Sequence, residues 1–138
     1  MARRIVEEVI DGRNIALADE LIAQDYVEHN PSDGLAPGLA GFKEWIALAH
    51  DGFPDWQHSI EDLIAEGDRV VVRTVARGTH RGEFMGIPPT GRRVAEPGID
   101  IMRIVGGKMV EHWGQYDWLR LLDQLKAPSP SAEGQPHD

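Results

Sequence analysis

Two aspartates in the second half of the chain stand among apolar residues, where a carboxyl group is well suited to transfer protons. Asp100 lies on a strand-like stretch whose alternation places it on the face of Met102 and Ile104. Asp117 follows the segment 112–116, whose aromatic rings could exclude water. Burial of a carboxyl group disfavours its ionised form and raises its pKa toward neutrality, as general acid–base catalysis requires. These residues therefore indicate acid–base chemistry.

Each aspartate also has a structural alternative. Asp117 could cap the helix that is predicted to begin at Trp118, because aspartate is a favoured N-cap residue. Asp100 could form a buried ion pair with an arginine such as Arg73 or Arg77. If both aspartates faced one cavity, their mutual repulsion would raise the pKa of one of them.

Two histidines could assist such a carboxyl group. A neutral imidazole at His29 or His112 could hydrogen-bond a substrate carbonyl or orient the acid, and a purely structural role is the alternative for each. On a regular strand His112 and Trp113 point to opposite faces, so only a β-bulge would place both in one pocket. The residues that could contact a substrate through amides, imidazole, aromatic rings or apolar side chains are Asn30, Phe53, Trp56, His80, Phe84, Met85, Met102, Trp113 and Gln115.

The composition restricts the classes of function. The chain has 138 residues, a formal net charge of −9 and no cysteine. The negative charge argues against nucleic acid or an anionic membrane as a partner, and the lack of cysteine excludes disulfides, zinc–thiolate sites and thiol catalysis. No histidine pair has a dedicated metal-ligand spacing, so we expect no metal. Because no apolar run is long enough to span a membrane and the N-terminus does not read as a signal peptide, we expect a cytoplasmic protein.

Hydrophobic periodicity predicts helices in the first half of the chain and strands in the second. The predicted helices are an N-terminal helix that stops at Gly12, a second helix capped by Asn14 and a third over 39–50. The clearest predicted strands lie at 69–76, 94–105 and 108–115, and Gly106-Gly107 forms a hairpin turn. Helices followed by antiparallel strands are typical of the α+β class. We therefore expect one domain over 1–126 and a disordered polar tail over 127–138.

Several short segments occur together in a characteristic order. They are Tyr26–Pro31, Phe53–Trp56, Gly78–His80, Pro89–Gly91, Gly98–Ile101 and Gly107–Trp113, followed by Asp117 and Gln124-Leu125. In this order and spacing they resemble the SnoaL-like polyketide cyclase family, also called ester cyclases, within the NTF2-like superfamily. The resemblance covers about residues 3–126, which is nearly everything except the tail.

This resemblance implies a fold and a chemistry. The implied fold is a cone-shaped α+β barrel, in which N-terminal helices pack on a strongly curved antiparallel sheet, with a deep pocket and frequently a homodimer. The implied chemistry is an intramolecular aldol ring closure on a polyketide-like or polycyclic carbonyl substrate, without metal or organic cofactor. The essential acid of the family matches Asp117, and Asp100 is the second candidate.

Other functions are compatible with the same scaffold. An epoxide hydrolase would need an Asp-Arg-Asp group in the pocket, but Arg103 is three residues from Asp100 and would face the other way on a regular strand. An isomerase would also use a single aspartate with a raised pKa. A protein that only binds a small ligand would keep its affinity when Asp100 and Asp117 are replaced by asparagine.

Overall fold

A computed structural model describes residues 1–32 and 34–126, so the predicted disordered tail lies outside the described residues. The helical elements are α1 (Ala2–Arg4), a π-helix that continues it (Ile5–Asp11), α2 (Ile15–Leu21), α3 (Gly38–Gly52) and α4 (Trp118–Lys126). The strands are β1 (Ile22–Glu28), β2 (Gln57–Glu66), β3 (Arg69–Thr79), β4 (Arg93–Val105) and β5 (Lys108–Tyr116). This confirms the predicted α+β class. Among the described helices none has the length and apolar character that a membrane crossing requires.

The N-terminal helices pack one apolar side against the sheet. The residues that the π-helix buries are Ile5, Val6, Val9 and Ile10. The π-helix ends before Gly12, whose N–H donates to the carbonyl oxygen of Glu7 at 3.0 Å. The predicted N-cap of α2 is confirmed, because Oδ1 of Asn14 accepts a hydrogen bond from the N–H of Leu17 at 3.1 Å.

The five strands form one sheet in the order β1-β5-β4-β3-β2. Strands β2 to β5 pair as antiparallel neighbours, and Gly106 and Gly107 both have positive φ in the hairpin between β4 and β5, as that turn requires. Strand β4 alternates in burial, and its buried residues are Val94, Glu96, Gly98, Asp100 and Met102. This buried face is the concave face of the sheet, and the other is the outer face.

Strand β1 differs from the prediction. The sequence pattern predicts only a short polar-aromatic segment over 25–30, and the family resemblance implies an antiparallel sheet. Instead β1 lies parallel to β5, with Val27 opposite Glu111 and Glu28 opposite His112. Its polar residues do not alternate cleanly, and its partner lies more than 80 positions away, so local periodicity carries no signal for this pairing.

The buried core consists of two apolar clusters. The first contains the N-terminal helices together with Ile22, Tyr26, Ile46, Val72, Met102 and Met109. The second contains Ala49, Phe53, Trp56, Ala76, Val94, Leu121 and Leu125. On β4, Val94 belongs to the second cluster and Met102 to the first, so Glu96, Gly98 and Asp100 lie between the two clusters. The polar side chains there are the candidate site.

Candidate active site

The concave face carries a connected group of polar side chains between the apolar clusters. We call Glu28, Glu96, Asp100, His112 and Tyr116 the polar belt. Strands β1, β4 and β5 supply these residues, and Glu96, Asp100 and His112 are each at most 8% exposed. Buried ionisable groups of this kind are usually paired or functional.

His112 lies at the centre of the belt and joins two carboxylates. Its Nε2 donates to Oδ1 of Asp100 at 2.7 Å, and its Nδ1 donates to Oε1 of Glu28 at 2.7 Å. The hydroxyl of Tyr116 donates a further hydrogen bond to Oδ1 of Asp100. Asp100 therefore pairs with a histidine, and the alternative partners Arg73 and Arg77 instead bind Asp62 and Ser59.

These contacts set the protonation of the belt. Burial disfavours the charged form of His112, but its hydrogen bonds to Asp100 and Glu28 outweigh that effect and raise its pKa to about 9. Near neutral pH the ring is thus an imidazolium that donates from both nitrogens. Burial and the neighbouring carboxylate of Asp100 raise the pKa of Tyr116 well above its ordinary value, so this phenol keeps its proton.

Glu28 and Gly98 hold the network in place. The hydroxyl of Tyr26 donates to Oε1 of Glu28 at 3.2 Å, and the backbone N–H of Asn30 donates to Oε2 at 3.1 Å. The predicted binding residue Asn30 is used to anchor β5, because its Oδ1 accepts from the N–H of Gly114 at 2.9 Å. At Gly98 a side chain would overlap the ring of Tyr116, so glycine lets that ring lie across β4.

Asp117 lies at the edge of the belt, directly after β5. Its N–H donates to the carbonyl oxygen of Pro97 at 2.9 Å, and its side chain is exposed. Oδ1 of Asp117 accepts from the N–H of Arg120 at 3.1 Å, so this residue caps α4 as the structural alternative predicts. The antiparallel register pairs Gly98 with Tyr116, which places the backbone of Asp117 opposite Pro97, the residue after Glu96.

Glu96 is a belt residue that the sequence analysis does not single out. Its Oε2 is buried and has no hydrogen-bond partner among the described residues. Burial raises its pKa from the ordinary 4.5 to about 7, with nearby His58 opposing the shift and Asp117 and Asp100 reinforcing it. The alternation along β4 could have identified Glu96, because a residue four positions before Asp100 lies on the same face of the strand.

His58 occupies the same transverse row of the sheet as Glu96. The register places His58 opposite Ala76 and Ala76 opposite Glu96, so only a small side chain separates them. Asp11 orients this histidine, because its Oδ1 lies 2.7 Å from Nδ1 of His58 and its Oδ2 accepts the backbone N–H at 2.9 Å. The π-helix thus contributes a polar residue to the concave face.

Three of the predicted site residues lie on the outer side of the sheet. His29, Trp113 and Gln115 belong to the outer side of the sheet, where His29 stacks on Trp113 with ring centroids 4.5 Å apart. Nε2 of His29 lies 2.8 Å from Oε2 of Glu111. Strand β5 is regular from Glu111 to Tyr116, so His112 and Trp113 point to opposite faces.

The predicted aromatic wall forms a second group of contacts near α3. Phe53 contacts Trp56, His80 and Phe84, with ring centroids between 5.0 and 5.3 Å apart. Of the remaining predicted binding residues, Met102 is buried in the first apolar cluster and Met85 is 67% exposed. These aromatic residues form the apolar core beside the belt.

Two surface clefts flank the structure. One, of about 470 Å³, is lined by Asp55, Gln57, Arg77, Gly78, Arg93, Val94, Ala95 and Gln124. The other, of about 400 Å³, includes Asp11 and Trp56 in its lining and therefore leads to the Asp11–His58 pair. Asp100 is not among the residues that line either of these two clefts.

Comparison with known proteins identifies the family of this chain and several named relatives. A family model described as SnoaL-like polyketide cyclase matches residues 1–125. The chain is 33% identical over 141 residues to the aklanonic acid methyl ester cyclase DauD of Streptomyces sp. (strain C5), covering 97% of this chain and 84% of that protein. It is 34% identical over 120 residues to the nogalonic acid methyl ester cyclase of Streptomyces nogalater, covering 84% and 88%.

Two solved structures are also similar. IdmH of Streptomyces antibioticus superposes with a TM-score of 0.81 at 34% identity, covering 91% of this chain and 96% of that one. TsrD of Streptomyces laurentii superposes with a TM-score of 0.80 at 28% identity, covering 92% and 96%. The predicted NTF2-like, SnoaL-like fold is confirmed by these matches.

Proposed function

Because the chain belongs to the SnoaL-like polyketide cyclase family, we propose that it closes a ring in a polycyclic aromatic polyketide methyl ester by an intramolecular aldol reaction. Relatives named as methyl ester cyclases support this substrate class. The observation that carries the proposal is the polar belt, a group of acid–base residues near Asp117 and the apolar clusters, of which Glu96, Asp100 and His112 are buried.

An aldol closure needs one proton removed from an activated carbon and one proton delivered to a carbonyl oxygen. We assign the first role to Asp117, in agreement with the family resemblance. Oδ1 caps α4, which leaves Oδ2 to accept the proton. An aromatic substrate that covers Asp117 would exclude water from it, and a desolvated carboxylate is a stronger base.

Asp100 and His112 serve this reaction as positioning residues. Oδ1 of Asp100 already accepts bonds from His112 and Tyr116, and both nitrogens of His112 are engaged. The network therefore fixes Tyr116, the residue before Asp117, and so the direction in which β5 presents Asp117. Arg103 pairs with Glu111 at 2.6 Å on the outer face, which does not favour the Asp-Arg-Asp chemistry of an epoxide hydrolase.

The test is a ring-closure assay with the purified protein. The probe is an anthraquinone that carries a ketone and, on the neighbouring carbon, a β-keto methyl ester side chain. We expect a product of unchanged mass, a new chromatographic retention time, and loss of one ketone carbon signal in the ¹³C spectrum. Binding of the probe without any turnover would contradict the proposal and favour the ligand-binding alternative.

We further propose that the protein is a homodimer formed through the outer face of the sheet, as the family resemblance implies. One outer row consists of Ile64, Val71, Ile101 and Trp113, and the next row includes Ile99, which is 47% exposed. The ion pair Arg73–Asp62 lies in the row of Ile99, and the ion pair Arg103–Glu111 lies in the row on the other side of Ile101 and Trp113. A two-fold interface brings one patch against itself, and an apolar strip with charges of both signs suits that arrangement.

Light scattering coupled to size-exclusion chromatography tests this dimer. We expect twice the chain mass for the wild type and the single-chain mass for Ile99→Glu, because a dimer would bury the new carboxylate. The control is Leu119→Glu, which changes a residue that is 70% exposed on α4, and it should remain dimeric. A wild-type protein that elutes as a single chain at micromolar concentration would refute the dimer.

A further inference from the structure

We propose that Glu96 is the general acid of the ring closure and that it donates its carboxyl proton to the carbonyl oxygen attacked in the reaction. This inference rests on the proposed aldol reaction and adds a second carboxyl group to it. It starts from one feature of the belt: among the described residues, Oε2 of Glu96 is the only belt side-chain atom that is fully buried and has no hydrogen-bond partner. A buried polar atom without a hydrogen bond costs stability, so its presence needs an explanation.

Glu96 also lies near Asp117. Asp117 lies opposite Pro97 in the antiparallel register and is joined to it by a backbone hydrogen bond of 2.9 Å. Glu96 is the next residue along β4, and its side chain is on the concave face. The charge of Asp117 contributes to the raised pKa of Glu96, so the two carboxyl groups are near each other, one exposed after the end of β5 and one buried. Unequal environments of this kind commonly divide the roles of base and acid between two carboxyl groups.

The charges around Glu96 agree with an acid role. The ionisable groups that influence it are His58 from β2, Asp100 on β4 and Asp117 after β5. Burial and the two aspartates favour its protonated form, and with a pKa of about 7 about half of the molecules carry this proton at pH 7 and can readily give it up. His58, oriented by Asp11, is the nearby group that could return a proton to Glu96 after a turnover.

Asp117 and Glu96 together account for both proton transfers of the ring closure. Asp117 takes the proton from the carbon between the ketone and the ester, and the resulting enolate carbon forms a bond to the carbonyl carbon of the second ketone. The π electrons of that carbonyl move to its oxygen, which takes the proton of Glu96 and becomes a hydroxyl. Asp117 ends protonated and Glu96 ionised, so a net proton transfer between them, through solvent or His58, restores the starting state.

The experiment separates proton removal from ring closure. The first probe is the anthraquinone β-keto methyl ester described above, and the second is its analogue in which the acceptor ketone is replaced by a methylene group. The analogue cannot cyclise, but its activated carbon exchanges hydrogen for deuterium in D₂O, and exchange is measured above the rate without protein. We expect Glu96→Gln to lower kcat for closure about a hundredfold while exchange stays at the wild-type rate.

The pH profile gives an independent readout. Closure by the wild type should slow as pH rises through about 7, because the acid form of Glu96 is lost, and this limb should be absent from Glu96→Gln. Glu96→Asp, which keeps an acid, should recover part of the rate. A variant that closes the ring at the wild-type rate, or loses exchange and closure equally, would overturn the role of Glu96. A wild-type protein without closure or exchange would instead refute the proposed function.

Discussion

Replacing Asp117 with asparagine is expected to lower kcat for ring closure by about 10³- to 10⁴-fold, the upper part of the range for a general base. The substitution is well suited to the question because asparagine caps a helix as well as aspartate does. The hydrogen bond from the N–H of Arg120 can therefore be kept, and α4 should retain its stability. The measurement is initial rate against substrate concentration, with deuterium exchange of the non-cyclising analogue alongside.

Two further variants test whether the loss of rate is specific to Asp117. Asp123→Asn removes an exposed carboxylate from the same helix and should leave the rate within about twofold of the wild type. Asp100→Asn removes the negative charge that faces His112 in the buried network and should weaken folding more than catalysis. If the Asp100 variant is folded but inactive while the Asp117 variant is fully active, then the roles assigned to the two aspartates are reversed.

His112→Gln should destabilise the protein by about 3–5 kcal/mol, because it leaves Asp100 and Glu28 buried without their shared counter-charge. Urea unfolding at pH 6 measures this loss. The control is His29→Gln on the outer face, where the partly exposed contact with Glu111 should be worth less than about 1 kcal/mol. An equal effect of the two substitutions would contradict the structural importance of the buried network.

The same histidine predicts how stability changes with pH. Folding raises the pKa of His112 from its ordinary 6.5 to about 9, so its contribution is fully present below pH 6.5 and is lost as pH rises to about 9. A shift of this size corresponds to about 3 kcal/mol. Wild-type unfolding free energy should therefore fall across this interval, and His112→Gln should show no such fall. The raised pKa of Glu96 lowers stability in the separate interval between about 4.5 and 7.

Strand alternation predicted much of the geometry of the site. It placed Asp100 with Met102 and Ile104 on one face, Arg103 on the other, and His112 opposite Trp113, and the structure agrees. These predictions succeed because a side-chain period of two is a local property of the backbone. The N-cap at Asn14 was predictable for the same reason, since its partner lies three residues away.

The partners within the site were not predictable in this way. Glu28 lies in a segment without clean alternation, and its contact with His112 depends on a parallel pairing between distant strands. Glu96 precedes a proline and a glycine, and these two residue types make the start of β4 hard to recognise in the sequence. The pairing of Asp100 with His112, when Arg73 and Arg77 were available, follows from the register of β4 on β5, and composition does not encode that register.

The parallel pairing of β1 with β5 has a consequence for the order of assembly. Glu28 and His112 are separated by 84 positions, whereas Asp100 and His112 are separated by 12. The β4–β5 hairpin can therefore bring the imidazole to its first carboxylate early, by closing a short loop. The second carboxylate arrives only when the amino-terminal half docks on the hairpin. At that docking step a second negative charge, that of Glu28, joins the imidazolium. The interior therefore reaches its final charge only in the complete fold.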